Sequence, residues 1–185
     1  YNNGMGPDNP LGAFIIQNGS DGSYTYTVVP GTENQPVRFV SDFDAMRFAN
    51  WMSNGQGSSN TETGMYNMAL GDQATRTGFG SWSVSSLDEW YKAAYYDPNT
   101  GVYYDYPNGT DAVPAEPTDG TTTREINFGD LPFWQGSVVY TSTGETTGQS
   151  PYGTFDQGGN VREWTDTIIE ASPQDRVVVG GTAFN

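Results

Sequence analysis

The chain has 185 residues, enough for one domain with a sizeable core, and its 22 acidic against seven basic residues give a net charge of −15 at pH 7. This charge disfavours nucleic acid and anionic lipid headgroups as partners and favours cations. The chain contains no cysteine and no histidine, which excludes disulfides, thiolate nucleophiles and zinc–sulfur or iron–sulfur sites within it and removes the commonest general base.

Two short strands are predicted before the first helix. Tyr24, Tyr26 and Val28 alternate with serine and threonine between Gly22 and Val29, which predicts a half-buried strand. A second strand is predicted over Val37–Val40.

The first helix is predicted from Ser41 to Met52. Ser41 with Asp44 three residues later is a variant of the capping box, and Asn54-Gly55 ends the helix. One apolar stripe at helical spacing is predicted to face the core, and it comprises Ala45, Phe48, Ala49 and Met52.

The second helix is predicted from Ser86, with Glu89 at the capping-box position. Asp97-Pro98 closes it, since proline has no amide donor and disfavours helix in the residue before it. The apolar stripe comprises Leu87, Trp90, Tyr91 and Ala94.

The remaining chain is predicted to contain short strands and long loops. Ser137–Tyr140 and Arg176–Val179 are predicted strands, and residues 98–136 are rich in glycine and proline. The predicted fold class is α+β in one domain over residues 1–185.

Four segments in chain order resemble a known family: Pro36–Ser41 leading into the first helix, Ser86–Ala94, Tyr152–Trp164 and Arg176–Thr182. They resemble the formylglycine-generating-enzyme, or sulfatase-modifying factor, domain over about residues 34–184. The tyrosine-rich stretches Tyr95–Pro98 and Tyr103–Pro107 are most similar to a secreted bacterial branch with a C-terminal surface-sorting tail.

The resemblance implies a C-type-lectin-like fold, loop-rich, with two helices and short twisted sheets. Relatives carry elements before Tyr1 and after the glycine pair Gly180-Gly181. We therefore expect this segment to be truncated, processed or completed by a neighbour, and we expect it to self-associate through open strand edges.

The resemblance also identifies which catalytic groups to look for. Family members oxidise a substrate cysteine with copper held by two cysteines, because soft thiolates select Cu(I). Alignment through Gly180-Gly181 places Asn185 at the first of these positions, and an amide cannot replace a thiolate. Related iron enzymes use histidines, which are also lacking. Asp88 and Glu89 are adjacent on a helix and so do not face each other. We expect no catalytic residues and no enzyme activity.

Calcium is the cofactor that the resemblance implies. The family binds it with a side-chain oxygen at the position of Asp156, the carbonyls of Gly159 and Val161 and the carboxylate of Glu163. Hard oxygen ligands suit this ion. A second family site corresponds to Asn127 and the carbonyl of Phe128. The alternative for Glu163 is a metal-free turn in which its carboxylate accepts hydrogen bonds from backbone amides.

Aromatic residues offer a further candidate surface. The tyrosines between residues 95 and 106 and four tryptophans are either core residues or a platform on which sugars stack. Core is the favoured interpretation for the tryptophans, which are Trp82, Trp90, Trp134 and Trp164.

The sequence predicts a non-catalytic, calcium-stabilised, extracellular or cell-surface module. It would bind a glycan or another surface protein, or assemble with its own copies. The alternatives are a structural subunit of an extracellular filament or lattice, and an oxidoreductase of the formylglycine-generating type with catalytic residues outside this chain.

Overall fold

The structure, a computed structural model, describes residues 12–78, 81–114, 126 and 141–181. Two α-helices and three antiparallel strand pairs, β1–β2, β3–β4 and β5–β6, make up its regular structure, a mixture compatible with the predicted α+β class. In chain order the elements are β1 Ile15–Asn18, β2 Thr25–Val28, α1 Asp42–Ser53, a 3₁₀ segment Met68–Gln73, α2 Leu87–Tyr95, β3 Tyr96–Asp97, β4 Val102–Tyr103, β5 Glu163–Ile169 and β6 Ser172–Val179.

Backbone contacts divide the chain into two units. Unit 1 comprises Tyr1–Phe39, Ala93–Val161 and Gly180–Asn185, and unit 2 comprises Val40–Lys92 and Arg162–Val179. The single domain over residues 1–185 stays a prediction. Among the described residues, no helix has the length and apolar character needed to cross a membrane.

Helix α1 begins as its sequence predicts. The Ser41 hydroxyl accepts a hydrogen bond from the Asp44 amide, and the Asp44 carboxylate accepts one from the Ser41 amide. These two bonds satisfy backbone donors that the first helical turn leaves without partners. The helix ends at Ser53, and Asn54 caps it.

The predicted apolar stripe of α1 faces the core of unit 2 only in part, since Ala49 is a core residue but Phe48 is not. Phe48 is 61% exposed, whereas Met46, Ala49 and Asn50 are buried. The polar side chain of Asn50 sets this rotation: its amide nitrogen donates to the carbonyls of Thr61 and Tyr66, and its oxygen accepts from the Tyr66 amide. The core cluster of unit 2 comprises Met46, Ala49, Met65, Tyr66, Met68 and Ala74, with Phe43 and Val84 packed against it.

Helix α2 confirms the predicted cap and most of the predicted stripe. The Glu89 carboxylate accepts from the Ser86 amide at 2.8 Å, and the Glu89 amide donates to the Ser86 hydroxyl at 3.2 Å. Trp90 and Ala94 are buried, but Tyr91 is 49% exposed. Tyr91 points away because consecutive helical residues differ by about 100° in direction.

The hairpin of β5 and β6 is the longest strand pair described. Its register joins Glu163 to Val179 and Trp164 to Val178, with irregularities farther along. The predicted strand Arg176–Val179 is confirmed as the end of β6. Strand β5 was not predicted, because its Glu-Trp-Thr-Asp-Thr sequence lacks a clear apolar alternation.

The other strand predictions fare less well. Strand β2 is shorter than Gly22–Val29 and pairs with β1, and all four of its residues are exposed rather than half-buried. The prediction of a strand at Val37–Val40 is wrong, since Phe39 has φ 59° and leaves the extended region. The predicted strand Ser137–Tyr140 lies outside the described residues.

Replacing Asn50 with alanine should destabilise the protein by roughly 3 kcal/mol, because it leaves two carbonyls and one amide without partners in the core. Urea unfolding measures the loss. Asn18→Ala is the matched control, since the Asn18 side chain is exposed and its bond to Thr27 is long at 3.5 Å. A loss no larger than that of the control would contradict the role given to Asn50.

Candidate functional site

An ion-pair cluster around Arg76 holds three parts of unit 2 together. The Arg76 guanidinium donates to both carboxylate oxygens of Glu89, at 2.9 and 2.5 Å, and to the Asp166 carboxylate at 2.5 Å. It also donates to the Val84 carbonyl at 2.6 Å. The Tyr66 hydroxyl donates to the same Asp166 oxygen at 3.0 Å. The cluster thereby links the core, α2 and β5.

The titratable groups of this cluster, Tyr66 and Glu89, keep their protonation states near neutral pH. Burial, with the negative charge of Asp166 next in effect, raises the pKa of Tyr66 to about 12. Hydrogen bonds from Arg76 and from the Ser86 amide lower the pKa of Glu89 to about 2. Neither group changes protonation near neutral pH, where general acid–base catalysis operates best. The cluster therefore acts as a structural clamp.

A second arginine fixes β6 to the 3₁₀ segment. The buried guanidinium of Arg176 donates to the carbonyls of Asp166, Asp72 and Ala74, at 2.7, 3.1 and 2.5 Å. Asp42 supplies the nearest carboxylate, at 3.9 Å. Backbone oxygens thus take most of this cation's donors, and the arrangement does not resemble an anion-binding site.

The predicted calcium ligand Asp156 lies in a tight loop of unit 1. Its backbone has φ 61°, and its carboxylate accepts from the Gly144 amide at 2.6 Å and from the Thr146 hydroxyl at 2.8 Å. Four residues later, the side chain of Asn160 is buried and joins both backbone groups of Thr141. These bonds tie segment 156–160 to segment 141–146.

Two glycines lie between Asp156 and Asn160. Gly158 is required by the lack of space around it, and Gly159 is favoured by its positive φ. A Cβ at Gly158 would lie 2.8 Å from the Pro107 ring and 3.0 Å from Ile126, so any larger residue would clash. Gly159 has φ 81°, and its amide donates to the Gly180 carbonyl. The motif glycines at 158–159 and at 180 therefore form one packed loop arrangement.

The other predicted ligands divide between the two units. Gly159 and Val161 belong to unit 1 with Asp156, and Glu163 is the first residue of β5 in unit 2. The Glu163 carboxylate accepts from the indole N–H of Trp90. Among the described residues, no group of three or more carboxylates has the arrangement of a metal site. Asn127 and Phe128 lie outside those residues.

The predicted donor types nevertheless suit calcium. Asp156 and Glu163 would supply carboxylates, and Gly159 and Val161 would supply carbonyl oxygens, all of them hard ligands. The same residues do not suit Cu(I), which selects soft sulfur ligands.

The aromatic candidates separate into buried and exposed groups. Trp90 is 7% exposed, which confirms it as a core residue, whereas Trp82 is 53% exposed and the core prediction for it is wrong. The rings of Tyr96 and Tyr103 lie 4.9 Å apart, and Tyr103 is 51% exposed. Trp134 lies outside the described residues.

Sequence reasoning missed the residues that organise unit 2. Arg76, Tyr66 and Asp166 carry no motif, and the side chains that they bind are 13 to 100 residues away along the chain. The available signal was composition: in a chain with seven basic residues, each arginine is a candidate centre for carboxylates.

Comparison with known families gives one match. The family model FGE-sulfatase, described as "Sulfatase-modifying factor enzyme 1-like domain", matches residues 15–185. Searches of the curated proteins and of the solved structures found no significant match.

The Arg76 cluster makes stability sensitive to acid. The folded state lowers the pKa of Glu89 from its ordinary 4.5 to about 2. The resulting stabilisation is complete above pH 4.5 and is lost as the pH falls toward 2. In Glu89→Gln, the free energy of unfolding should therefore depend less on pH between about 5 and 2 than in the wild type.

Denaturant unfolding at a series of pH values measures this difference. The effect is reduced by solvent screening, because the Glu89 side chain is 55% exposed. Asp88→Asn removes the same charge from the same helical turn and serves as the matched control. Equal pH dependence in the two variants would show that the pairing with Arg76 has no effect of its own.

Proposed function

The chain belongs to the FGE-sulfatase family, and from this premise we propose that it is a non-catalytic, calcium-stabilised, extracellular or cell-surface module that binds a glycan or a protein. One combination of observations carries the proposal. The family match covers residues 15–185, yet these residues include neither cysteine nor histidine. The framework of the family is therefore present without the side chains that its redox chemistry needs.

The described side chains support the non-catalytic part of the proposal. The most elaborate polar cluster, around Arg76, contains groups whose pKa values lie far from neutral. A general acid or base works best with a pKa near the operating pH. The alternative, an oxidoreductase, requires catalytic groups from outside residues 1–185.

Calcium is proposed as a stabilising ion rather than a catalytic one. Asp156 and Glu163 would supply negative charge, and Gly159 and Val161 would supply carbonyls. The glycine-dependent turn at 158–159 supports the proposal, because it is the kind of backbone that directs carbonyls to one side. For the second proposed site, Asn127 and Phe128 would be the ligands.

The binding role rests on the loop-rich architecture, for which we propose the C-type-lectin-like fold. Long loops held by polar networks present a surface without needing to move. In the second form of the proposal, the protein partner is another copy of this chain. Within the described residues each sheet has two strands, and a strand edge without a neighbour pairs readily with another chain.

Calcium should raise the melting temperature of the 185-residue chain, and a chelator should reverse the effect. Binding to the folded state alone adds about 2.7 kcal/mol when free calcium exceeds Kd a hundredfold. Glu163→Gln should abolish the response, because it removes a charged ligand while its amide oxygen still accepts from Trp90.

Scanning calorimetry with and without chelator measures the response. Glu170→Gln, at an exposed acidic position outside the proposed ligand set, is the matched control and should respond like the wild type. Identical melting of wild type with calcium and with chelator would refute the calcium proposal.

The chain should show no copper-dependent oxidase activity, because it has no thiolate to hold Cu(I). A cysteine-containing sulfatase peptide, incubated with the chain, copper and oxygen, should keep its mass. An active formylglycine-generating enzyme run in parallel is the control. Conversion of the peptide cysteine to the aldehyde by the chain would overturn the non-catalytic proposal.

A further inference from the structure

Helix α1 has two apolar faces, of which the core of unit 2 uses one. The inner face contains Met46 and Ala49, both buried. The outer face carries Phe48, which is 61% exposed, and the half-buried Met52, one turn farther along the helix. Phe48 thus lies away from the core that the periodicity of the stripe predicts it to join, although its neighbour Ala49 lies within that core.

Two tryptophans lie on helix α1 or at its end. The Trp51 ring lies 5.7 Å from the Phe48 ring and is tilted by 33°. The backbone of Trp82 is fixed to the end of the helix: its amide donates to the Ser53 hydroxyl, which donates back to the Trp82 carbonyl. The indole of Trp82 is 53% exposed. We call Phe48, Trp51, Met52 and Trp82 the α1 aromatic surface.

A polar loop, residues 54–63, borders the α1 aromatic surface and is held rigidly against it. The Trp51 indole donates to the Gly57 carbonyl at 2.9 Å, and the Gln56 amide donates to the Trp51 carbonyl at 2.9 Å. The Asn54 side chain donates to the carbonyls of Asn60 and Thr63, both at 2.7 Å. The loop is therefore ordered before any ligand arrives, which reduces the entropy lost on binding.

The tip of this loop holds a strained conformation. Gly55, Gln56 and Gly57 all have positive φ, at 94°, 65° and 62°. Glycine adopts such angles freely, but glutamine does so at a cost, and strain of this kind persists mainly at functional sites. Gln56 and Ser58 are both exposed, and they flank Gly57, whose carbonyl accepts from the Trp51 indole.

Few charged residues lie at this surface. Arg47 precedes Phe48 and pairs with Glu62 through two hydrogen bonds, at 2.7 and 3.1 Å. The rest of loop 54–63 carries amide and hydroxyl side chains without charge. The exposed carboxylate of Asp44, one helical turn before Phe48, is the other charge nearby. The surface thus carries little net charge on a chain of net charge −15, which itself repels polyanions.

Flat aromatic faces beside fixed amide and hydroxyl groups match one class of ligand. A neutral sugar presents an apolar face of C–H groups to a ring and hydroxyls to the amides around it. A protein partner would be expected to meet a larger apolar area with fewer uncharged polar groups around it. We propose that the α1 aromatic surface with loop 54–63 is the binding site for a neutral oligosaccharide.

This inference rests on the proposal that the chain is a binding module, and it identifies the ligand class and the surface. The test follows the indole N–H signals of the five tryptophans by nitrogen-15 NMR. The probes are four neutral hexasaccharides, built of α-linked glucose, β-linked glucose, N-acetylglucosamine or mannose. At least one should shift the Trp51 and Trp82 signals saturably and leave Trp90 unchanged.

Three variants complete the test. Phe48→Ala should weaken the binding about tenfold, the upper range for loss of an aromatic contact, and Gln56→Ala should also weaken it. Tyr103→Ala is the matched control, because Tyr103 is similarly exposed but lies in unit 1. Equal melting temperatures of the variants and the wild type check that each variant is folded.

Several results would overturn the inference while leaving the proposed function intact. Sugar binding that is lost in Tyr103→Ala but kept in Phe48→Ala would place the glycan site elsewhere. Calcium stabilisation without any hexasaccharide shift would leave a module whose ligand is not a neutral sugar of these classes. Sedimentation showing dimers of the wild type and monomers of Phe48→Ala, again without sugar shifts, would make the surface a contact between copies.

Discussion

The pairing of Arg76 with two carboxylates is the interaction on which the structure of unit 2 depends. Glu89 comes from α2 and Asp166 from β5, so one guanidinium joins elements far apart in the sequence. An arginine suits this role because its planar donors bind two partners at once. Tyr66 brings the hydrophobic core into the same network through its hydroxyl. Losing Arg76 would leave both carboxylates without compensation, and that of Asp166 is largely buried.

Asn50 imposes a comparable constraint on helix α1, with a consequence at the surface. A buried amide that must satisfy Thr61 and Tyr66 determines which side of the helix faces inward. Once that rotation is set, Phe48 faces outward whatever its hydrophobicity. Thr61, whose carbonyl accepts from Asn50, is itself part of loop 54–63. One polar side chain therefore both completes the core and positions the surface proposed to bind sugar.

Family membership and residue content point in different directions for this chain. The match over residues 15–185 places it among proteins named for sulfatase modification, while its side chains offer neither thiolate nor imidazole. A fold is a scaffold on which sites are built, so the function has to be argued from the residues present. Those residues form capped helices, glycine-dependent loops and locked ion pairs, all of which serve rigidity. Rigid loops on a stable framework are what a binding module requires.

The sequence by itself determined the local features of this protein. Serine and acidic residues three apart marked the starts of both helices, because a capping box is completed within one turn. The family was also readable, since motifs such as Ser86–Ala94 and Tyr152–Trp164 are contiguous. The exposed side of α1, the strand β5 and the Arg76 cluster were decided by tertiary structure alone. Each depends on groups brought together from distant positions in the chain. The periodicity of apolar residues in a helix does not show which of its apolar faces a distant segment will cover.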